Sequence, residues 1–348
     1  MSFLNNLIKI SGNEDAGIVS DGLDGSDISG FIDTGCYALN GLLSGSLYGG
    51  LPNNKIICFA GEAATGKTYF TMSIVGKFLA DNKDGVVLYF DTEQAVTSAM
   101  FTQRNIDSKR VAVFPVFTVE EFRQQVITIV DNVLATKDSE RKPIMIVLDS
   151  LGMLSTTKEI TDTATGHNVR DMTRAQAVKS VFRVLTHKLG KAKIPLVMTN
   201  HTYDVVGSYI PTKDMGGGSG VKYAASTIVY LSKKKDKDGD GLVVGNIIKC
   251  NLFKSRFTKE NKVVEVQLNY DTGLNKYHGL VNIALKQDIF KKVSTKIQLP
   301  DGSTAFEKHI MESPEKYFTD KVMALLEEAA GREFKYGQTV EGSDVPNN

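Results

Sequence analysis

From residue 55 the chain alternates between short unbroken apolar runs and longer segments whose apolar residues recur every third or fourth position. The runs are Lys55–Ala60, Val86–Phe90, Val111–Pro115, Ile144–Leu148 and Leu196–Thr199, and helix-period segments separate them at 67–82, 119–136 and 171–190. Runs this continuous leave no wet face, so they mark strands covered on both sides. Their alternation with helices predicts an α/β domain with a mostly parallel central sheet. After residue 225 the pattern turns to strands alone, Thr227–Leu231, Val243–Asn251 and Val263–Asn269, which predicts hairpins that extend the sheet. In the tail, Pro314–Ala330 reads as one helix and the last residues are polar.

The start of the chain is different. Phe3, Leu4, Leu7 and Ile8 fall on one side of a short helix. Residues 11–30 are rich in Gly, Ser and Asp and read as a flexible acidic linker. Such a helix on a tether either docks onto a neighbouring subunit or folds back on its own domain. The expected organisation is an N-terminal oligomerisation segment at 1–30, a core at 31–285 and a small C-terminal region at 286–348.

Composition narrows the class. Of 348 residues, 42% are hydrophobic and 23% charged, so a core of ordinary size is available and wholesale disorder is excluded. No apolar run approaches the roughly 18 residues of a membrane span, and the first residues do not have the pattern of a secretory signal. Cys36, Cys58 and Cys250 are odd in number and far apart, which fits a reducing cytoplasm. The net charge of +1 divides unevenly: residues 301–348 carry −5, leaving +6 for the rest. A mildly basic body is compatible with a local polyanion site and equally with ordinary surface variation.

Gly61-Glu62-Ala63-Ala64-Thr65-Gly66-Lys67-Thr68 follows one predicted strand and opens a helix. Glycines there let successive backbone N–H groups turn inward around phosphates at a helix N-terminus that already favours anions. Lys67 is then placed for the β- and γ-phosphates of ATP and the Thr68 hydroxyl for Mg²⁺. Ile144–Leu148 ends in Asp149, at the tip of a strand that runs toward the same edge, where it would hold Mg²⁺ through water. Val86–Phe90 ends in Asp91-Thr92-Glu93. Ligands of open α/β sheets bind at these carboxyl ends, so Glu93 is placed to orient an attacking water and accept its proton. Asp236-Lys-Asp238-Gly-Asp240-Gly241 begins like a calcium loop, but its twelfth position is Ile247 instead of Glu.

These three motifs and their spacing resemble the RecA-type ATPase core. The later segments Asp149-Ser150-Leu151-Gly152, Arg170-Asp171-Met172-Thr173-Arg174, Met198-Thr199-Asn200-His201-Thr202-Tyr203, Met215-Gly216-Gly217-Gly218 and Lys254-Ser255-Arg256 resemble, in this order, phage UvsX-type recombinases. The resemblance covers about 31–285. It implies that His201 senses the γ-phosphate, and that loops at about 157–171 and 202–219 bind DNA. Arg170, Arg174, Arg183, Lys213, Gly216, Gly217 and Gly218 would meet phosphates there, without sequence readout. Lys254 and Arg256 would enter the neighbouring subunit's ATP site as fingers supplied in trans. The family's base-contacting acid and tyrosine align with Thr97 and Met100, which departs from its pattern.

The implied activity is that of a DNA-dependent ATPase. It would form a helical filament of identical subunits on single-stranded DNA and exchange strands with homologous duplex, together with single-strand-binding and mediator proteins. No membrane is implied, and the setting is the host cytoplasm if a phage encodes the chain. A hexameric RecA-fold helicase or ring motor, a small-molecule P-loop kinase and a non-catalytic nucleic-acid-binding filament remain as alternatives.

Overall fold

The computed structural model describes residues 3–23, 25–165, 173–204 and 213–337. Helix α1 (Phe3–Ser11) is followed by a ribbon of β1 (Phe31–Ile32) and β2 (Leu51–Pro52) that brackets α2 (Tyr37–Ser44). The alternating part then runs β3 (Ile56–Gly61), α3 (Lys67–Asp81), β4 (Val86–Asp91), α4 (Ser98–Thr102), β5 (Val111–Pro115), α5 (Val119–Ala135), β6 (Ile144–Asp149), α6 (Thr157–Ala164), α7 (Thr173–Ala192) and β7 (Leu196–Asp204). Next come β8 (Lys213–Met215), α8 (Ser219–Ala224), β9 (Thr227–Lys237), β10 (Val243–Ser255), β11 (Val263–Asn269) and β12 (Gly273–Leu274).

The spatial order is β12-β11-β10-β9-β3-β7-β6-β4-β5, with β8 paired to β7. From β9 to β5 neighbours are parallel, and beyond β9 they are antiparallel. This is the expected mostly parallel sheet with a hairpin extension. All six residues of β3 are buried. Because side chains alternate along a strand, Ile57 and Phe59 face the layer of Phe70, Ile74 and Val75 on α3, while Cys58 and Ala60 face Val178, Phe182 and Leu185 on α7. Each helix therefore buries one stripe against the sheet. A capping box starts α5: the Glu121 N–H donates to Thr118 Oγ1 at 3.1 Å and the Thr118 N–H to Glu121 Oε2 at 3.1 Å.

Three expectations need correction. The 11–30 segment is held against the body: Asn54 Nδ2 donates to the Asp27 carbonyl at 2.6 Å, Lys55 Nζ to the Ser26 carbonyl at 2.6 Å, and Lys191 pairs with Asp15 at 2.6 Å. Polar side chains of the body grip a backbone that has little apolar material of its own. Pro314–Ala330 is two helices, a short α11 (Pro314–Tyr317) and α12 (Asp320–Phe334). The break lets Phe318 turn inward and stack on Tyr277 and Phe290, at centroid distances of 5.6 and 6.0 Å. The 157–171 and 202–219 stretches are not wholly loops. The first opens as α6, and the second is flanked by a hairpin in which Asp204 pairs with Lys213.

The C-terminal region also holds α9 (Leu280–Lys286), a three-stranded sheet of β13 (Lys291–Val293), β14 (Lys296–Gln298) and β15 (Thr304–Ala305), and α10 (Glu307–Glu312). It shares the core of the main body: Leu326, Ala330 and Phe334 of α12 lie in one apolar cluster with Leu39 and Leu42 of α2. Lys262 and Lys286 converge on Glu333 at 2.8 and 2.6 Å. No described helix is long and apolar enough to cross a membrane.

Candidate active site

The sheet register builds the site. Gly61 at the tip of β3 pairs with His201 on β7, and Asp91 at the tip of β4 pairs with Asp149 on β6. Four parallel strands thus place the phosphate loop, the sensor candidate and two acidic tips side by side. Gly66 turns the loop into α3 with φ +86°, a left-handed conformation that suits glycine. Lys67 is buried, and its ammonium donates to the carbonyls of Gly61 at 2.9 Å and Glu62 at 2.7 Å. Burial pushes its pKa below the ordinary lysine value, with Glu93 and Asp149 pulling it back up. A triphosphate would offer that ammonium stronger acceptors than two neutral carbonyls. Two outer cations brace the loop: Lys233 donates to the Ala64 carbonyl at 2.6 Å, and Lys213 pairs with Glu62.

Glu93 projects beyond β4 because the Asp91 carboxylate accepts the N–H groups of Glu93 and Val96, each at 3.1 Å, which fixes the turn. Its Oε1 accepts the Ser150 hydroxyl at 2.9 Å and meets His201 Nε2 at 3.2 Å. The Glu93 side chain is 38% exposed, held in place yet open to water. Asp149 is buried, with the Tyr89 hydroxyl at 2.7 Å from one oxygen and the Thr199 hydroxyl bonded to the other. Among the described residues no group of three His, Cys, Asp or Glu side chains could cage a metal. The expected donors are the Thr68 hydroxyl, in the first turn of α3, and the Asp149 carboxylate at the end of β6. Such a sparse oxygen set suits Mg²⁺, which keeps several waters and takes phosphate oxygens.

The site is wired to both loop regions. The Asn200 side chain donates to the Gly216 carbonyl at 2.8 Å, and the Gly216 N–H donates to the His201 carbonyl at 3.1 Å. A Cβ on Gly152 would lie 3.1 Å from the His201 ring, so the turn after β6 packs closely on His201. Arg174 holds that turn, donating to the carbonyls of Leu154, Gly152 and Leu151 at 2.7, 2.9 and 3.3 Å. Its guanidinium is bound up with the site instead of facing outward for DNA. Arg183 also departs from expectation. It lines a groove of about 670 Å³ with Lys55, His187 and Arg256, at the amino end of β3, away from both loops. Arg170 lies outside the described residues. Gly217 and Gly218, both with positive φ, lead into α8.

Lys254 and Arg256 are also at the amino end. Lys254 Nζ donates to the Tyr223 and Ala225 carbonyls at 3.2 and 2.8 Å, and Arg256 Nη2 to the Tyr223 carbonyl at 3.0 Å, closing the C-terminus of α8. Ser255 pairs with Thr227, which pairs with Ile57. Gly61 is four residues further along β3, roughly 13 Å at strand rise. Thr97 precedes α4 without capping it through its side chain, and Met100 packs partly buried against the core. Tyr89 and Lys233 are site residues missed in the sequence, and Ser150, Thr199 and Asn200 lie in segments that carry the resemblance but were given no role there. The hydroxyls of Tyr89 and Thr199 sit inside strands that read as apolar.

Comparison with known proteins agrees with this geometry. The family model of the RecA N-terminal domain matches residues 14–275. The chain is 34% identical over 248 residues to the recombination and repair protein of Enterobacteria phage T4, covering 71% of this chain and 61% of that protein. It is 24% identical over 264 residues to the RecA protein of Mycoplasmopsis pulmonis, covering 74% of this chain and 72% of that one, and 25% identical over 314 residues to that of Lactobacillus johnsonii, covering 87% and 81%. With most of its length inside the family match, and with Gly61, His201 and the acidic tips on adjacent strands, the chain belongs to the RecA N-terminal domain family.

Proposed function

We propose that the chain is a DNA-dependent ATPase of the strand-exchange class. It would coat single-stranded DNA as a head-to-tail helical filament and pair it with homologous duplex. The observation that carries this reading is Glu93, held by Ser150 and His201 beside the Lys67 loop, in a chain of this family. Glu93 accepts the proton of the attacking water, Lys67 draws on the β- and γ-phosphates, and Thr68 and Asp149 hold Mg²⁺, which neutralises charge on the phosphates. His201 lies against Glu93 and, through Asn200, against Gly216, so a γ-phosphate that draws His201 away frees the base and shifts the loop. A ring motor or a small-molecule kinase would share the phosphate loop, but neither is favoured by the relatives.

The ATP site is completed by a second copy. Lys254 and Arg256 stand too far along the sheet to reach their own phosphate loop, which supports a finger role in trans. Exposed Phe3, Leu4 and Ile10 of α1 supply an apolar surface for a neighbouring subunit. Gly216–Gly218 and Lys213, with Arg170, would face DNA, and Arg174 serves as a positioning residue. Single-strand-binding and mediator proteins are the expected helpers, and the host cytoplasm the expected setting. ATP turnover measured with and without single-stranded DNA tests the reading. Strong stimulation is expected, and turnover indifferent to DNA overturns it.

A further inference from the structure

We propose that Tyr69 and Arg104 form the platform on which the nucleotide base lies, an inference that rests on the phosphate-loop reading above. Tyr69 follows Thr68 in the first turn of α3. A nucleoside triphosphate gripped by that helix end leads its sugar and base away along this flank. The Arg104 guanidinium lies 4.6 Å from the centroid of the Tyr69 ring. Its Nη1 donates to the Met100 carbonyl at 2.9 Å, which fixes the group to the end of α4. Its Nε is buried and has no acceptor among the described residues. On the remaining side, a Cβ on Gly273 would sit 2.5 Å from the Tyr69 hydroxyl, so the β11–β12 turn closes on the ring.

Three segments therefore converge on one aromatic ring beside the phosphate loop. Thr97 and Met100, where the family places an acid and a tyrosine, offer a short hydroxyl and a thioether instead. The guanidinium over the ring replaces both functions. Its plane and the ring offer stacking surface that any base can use. A purine overlaps such a platform more than a pyrimidine. The site should favour purines, with little choice between adenine and guanine.

Equilibrium binding to the full chain with Mg²⁺ tests this with three probes: ATP, CTP and inorganic tripolyphosphate, which has no base. The parent should bind ATP more tightly than CTP. Tyr69→Ala and Arg104→Ala should each weaken ATP binding about 5- to 100-fold while tripolyphosphate stays within about twofold, and Tyr69→Phe should keep ATP binding because the ring remains. Lys67→Ala should lose both ATP and tripolyphosphate. The platform is overturned if Tyr69→Ala binds ATP like the parent, or if it loses ATP and tripolyphosphate in parallel, which would make Tyr69 a support for the helix start. A parent that binds neither probe overturns the phosphate-loop reading itself.

Discussion

The two ends of the central sheet carry similar charges and use them in different ways. At the carboxyl end, Lys67 is buried on two carbonyls that a phosphate can replace, and Glu93 is held by Ser150 and His201 yet open to water. At the amino end, Lys254 and Arg256 close the last carbonyls of α8, and the acidic N-terminal segment lies along the adjoining groove. One end carries the groups that the proposed reading needs to grip a nucleotide and activate water. The other has cations, but no phosphate loop or activating carboxylate among the residues around it. On the proposed reading each chain presents two unlike halves of a reaction centre, which identical chains stacked head to tail would join at every contact.

The largest expected effect tests that division. Replacing both Lys254 and Arg256 by Ala should lower DNA-stimulated turnover about 10³-fold or more, as loss of an arginine finger does. Mixed equally with Glu93→Gln, random assembly pairs a sound site with a sound finger at roughly a quarter of interfaces, and turnover should recover toward that fraction. No recovery, in mixtures that still co-assemble on DNA, would place the finger within its own chain. Glu93→Gln alone should slow hydrolysis about 10²–10⁴-fold while ATP and DNA binding persist, because the amide keeps the shape but accepts no proton. Parental turnover in that variant would assign the water to another residue.

Ser150→Ala sharpens the comparison within the carboxyl end. It removes one hydrogen bond to Glu93 and leaves His201 in place. A hydrogen bond to a charged group contributes about 1.5–3 kcal/mol, so kcat should fall roughly 10- to 100-fold with little change in ATP affinity. An unchanged kcat would mean His201 alone positions the carboxylate. Glu333 belongs to neither end and serves as a control. Burial raises its pKa, but hydrogen bonds from Lys262 and Lys286 outweigh burial and hold it below the ordinary glutamate value. Its stabilising contribution is present above the unfolded-state pKa and is lost as pH falls through the lower folded-state value. Glu333→Gln should lower Tm at pH 7 and much less in acid, with kcat per folded molecule unchanged. An equal Tm loss at both pH values would deny the ion pairs their role.

The phosphate loop, Asp149 and Glu93 were legible because each is a local motif at the end of an apolar run, and parallel pairing then sets them side by side. What was not legible depends on contacts between distant segments. Tyr89 and Thr199 come from different strands and meet only at Asp149. Phe318 breaks the C-terminal helix to reach Tyr277 and Phe290. Arg174 and Arg183 were grouped by charge, yet at about 100° per residue nine positions place them on opposite sides of α7. One tightens the turn under His201 and the other opens into the amino-end groove.

The grip on the N-terminal segment has a consequence for how this chain can vary. Asn54 and Lys55 bind the carbonyls of Ser26 and Asp27, groups that every amino acid carries. Most substitutions in the segment would leave those bonds intact, so its letters can drift between related chains while its path over the body persists. The glycines are the exceptions: Gly12, Gly22 and Gly25 have positive φ, and a Cβ on Gly25 would also come within 3.1 Å of the Lys191 backbone nitrogen. A comparison of sequences would find little shared wording in this stretch beyond its glycines, even where the strap itself is inherited.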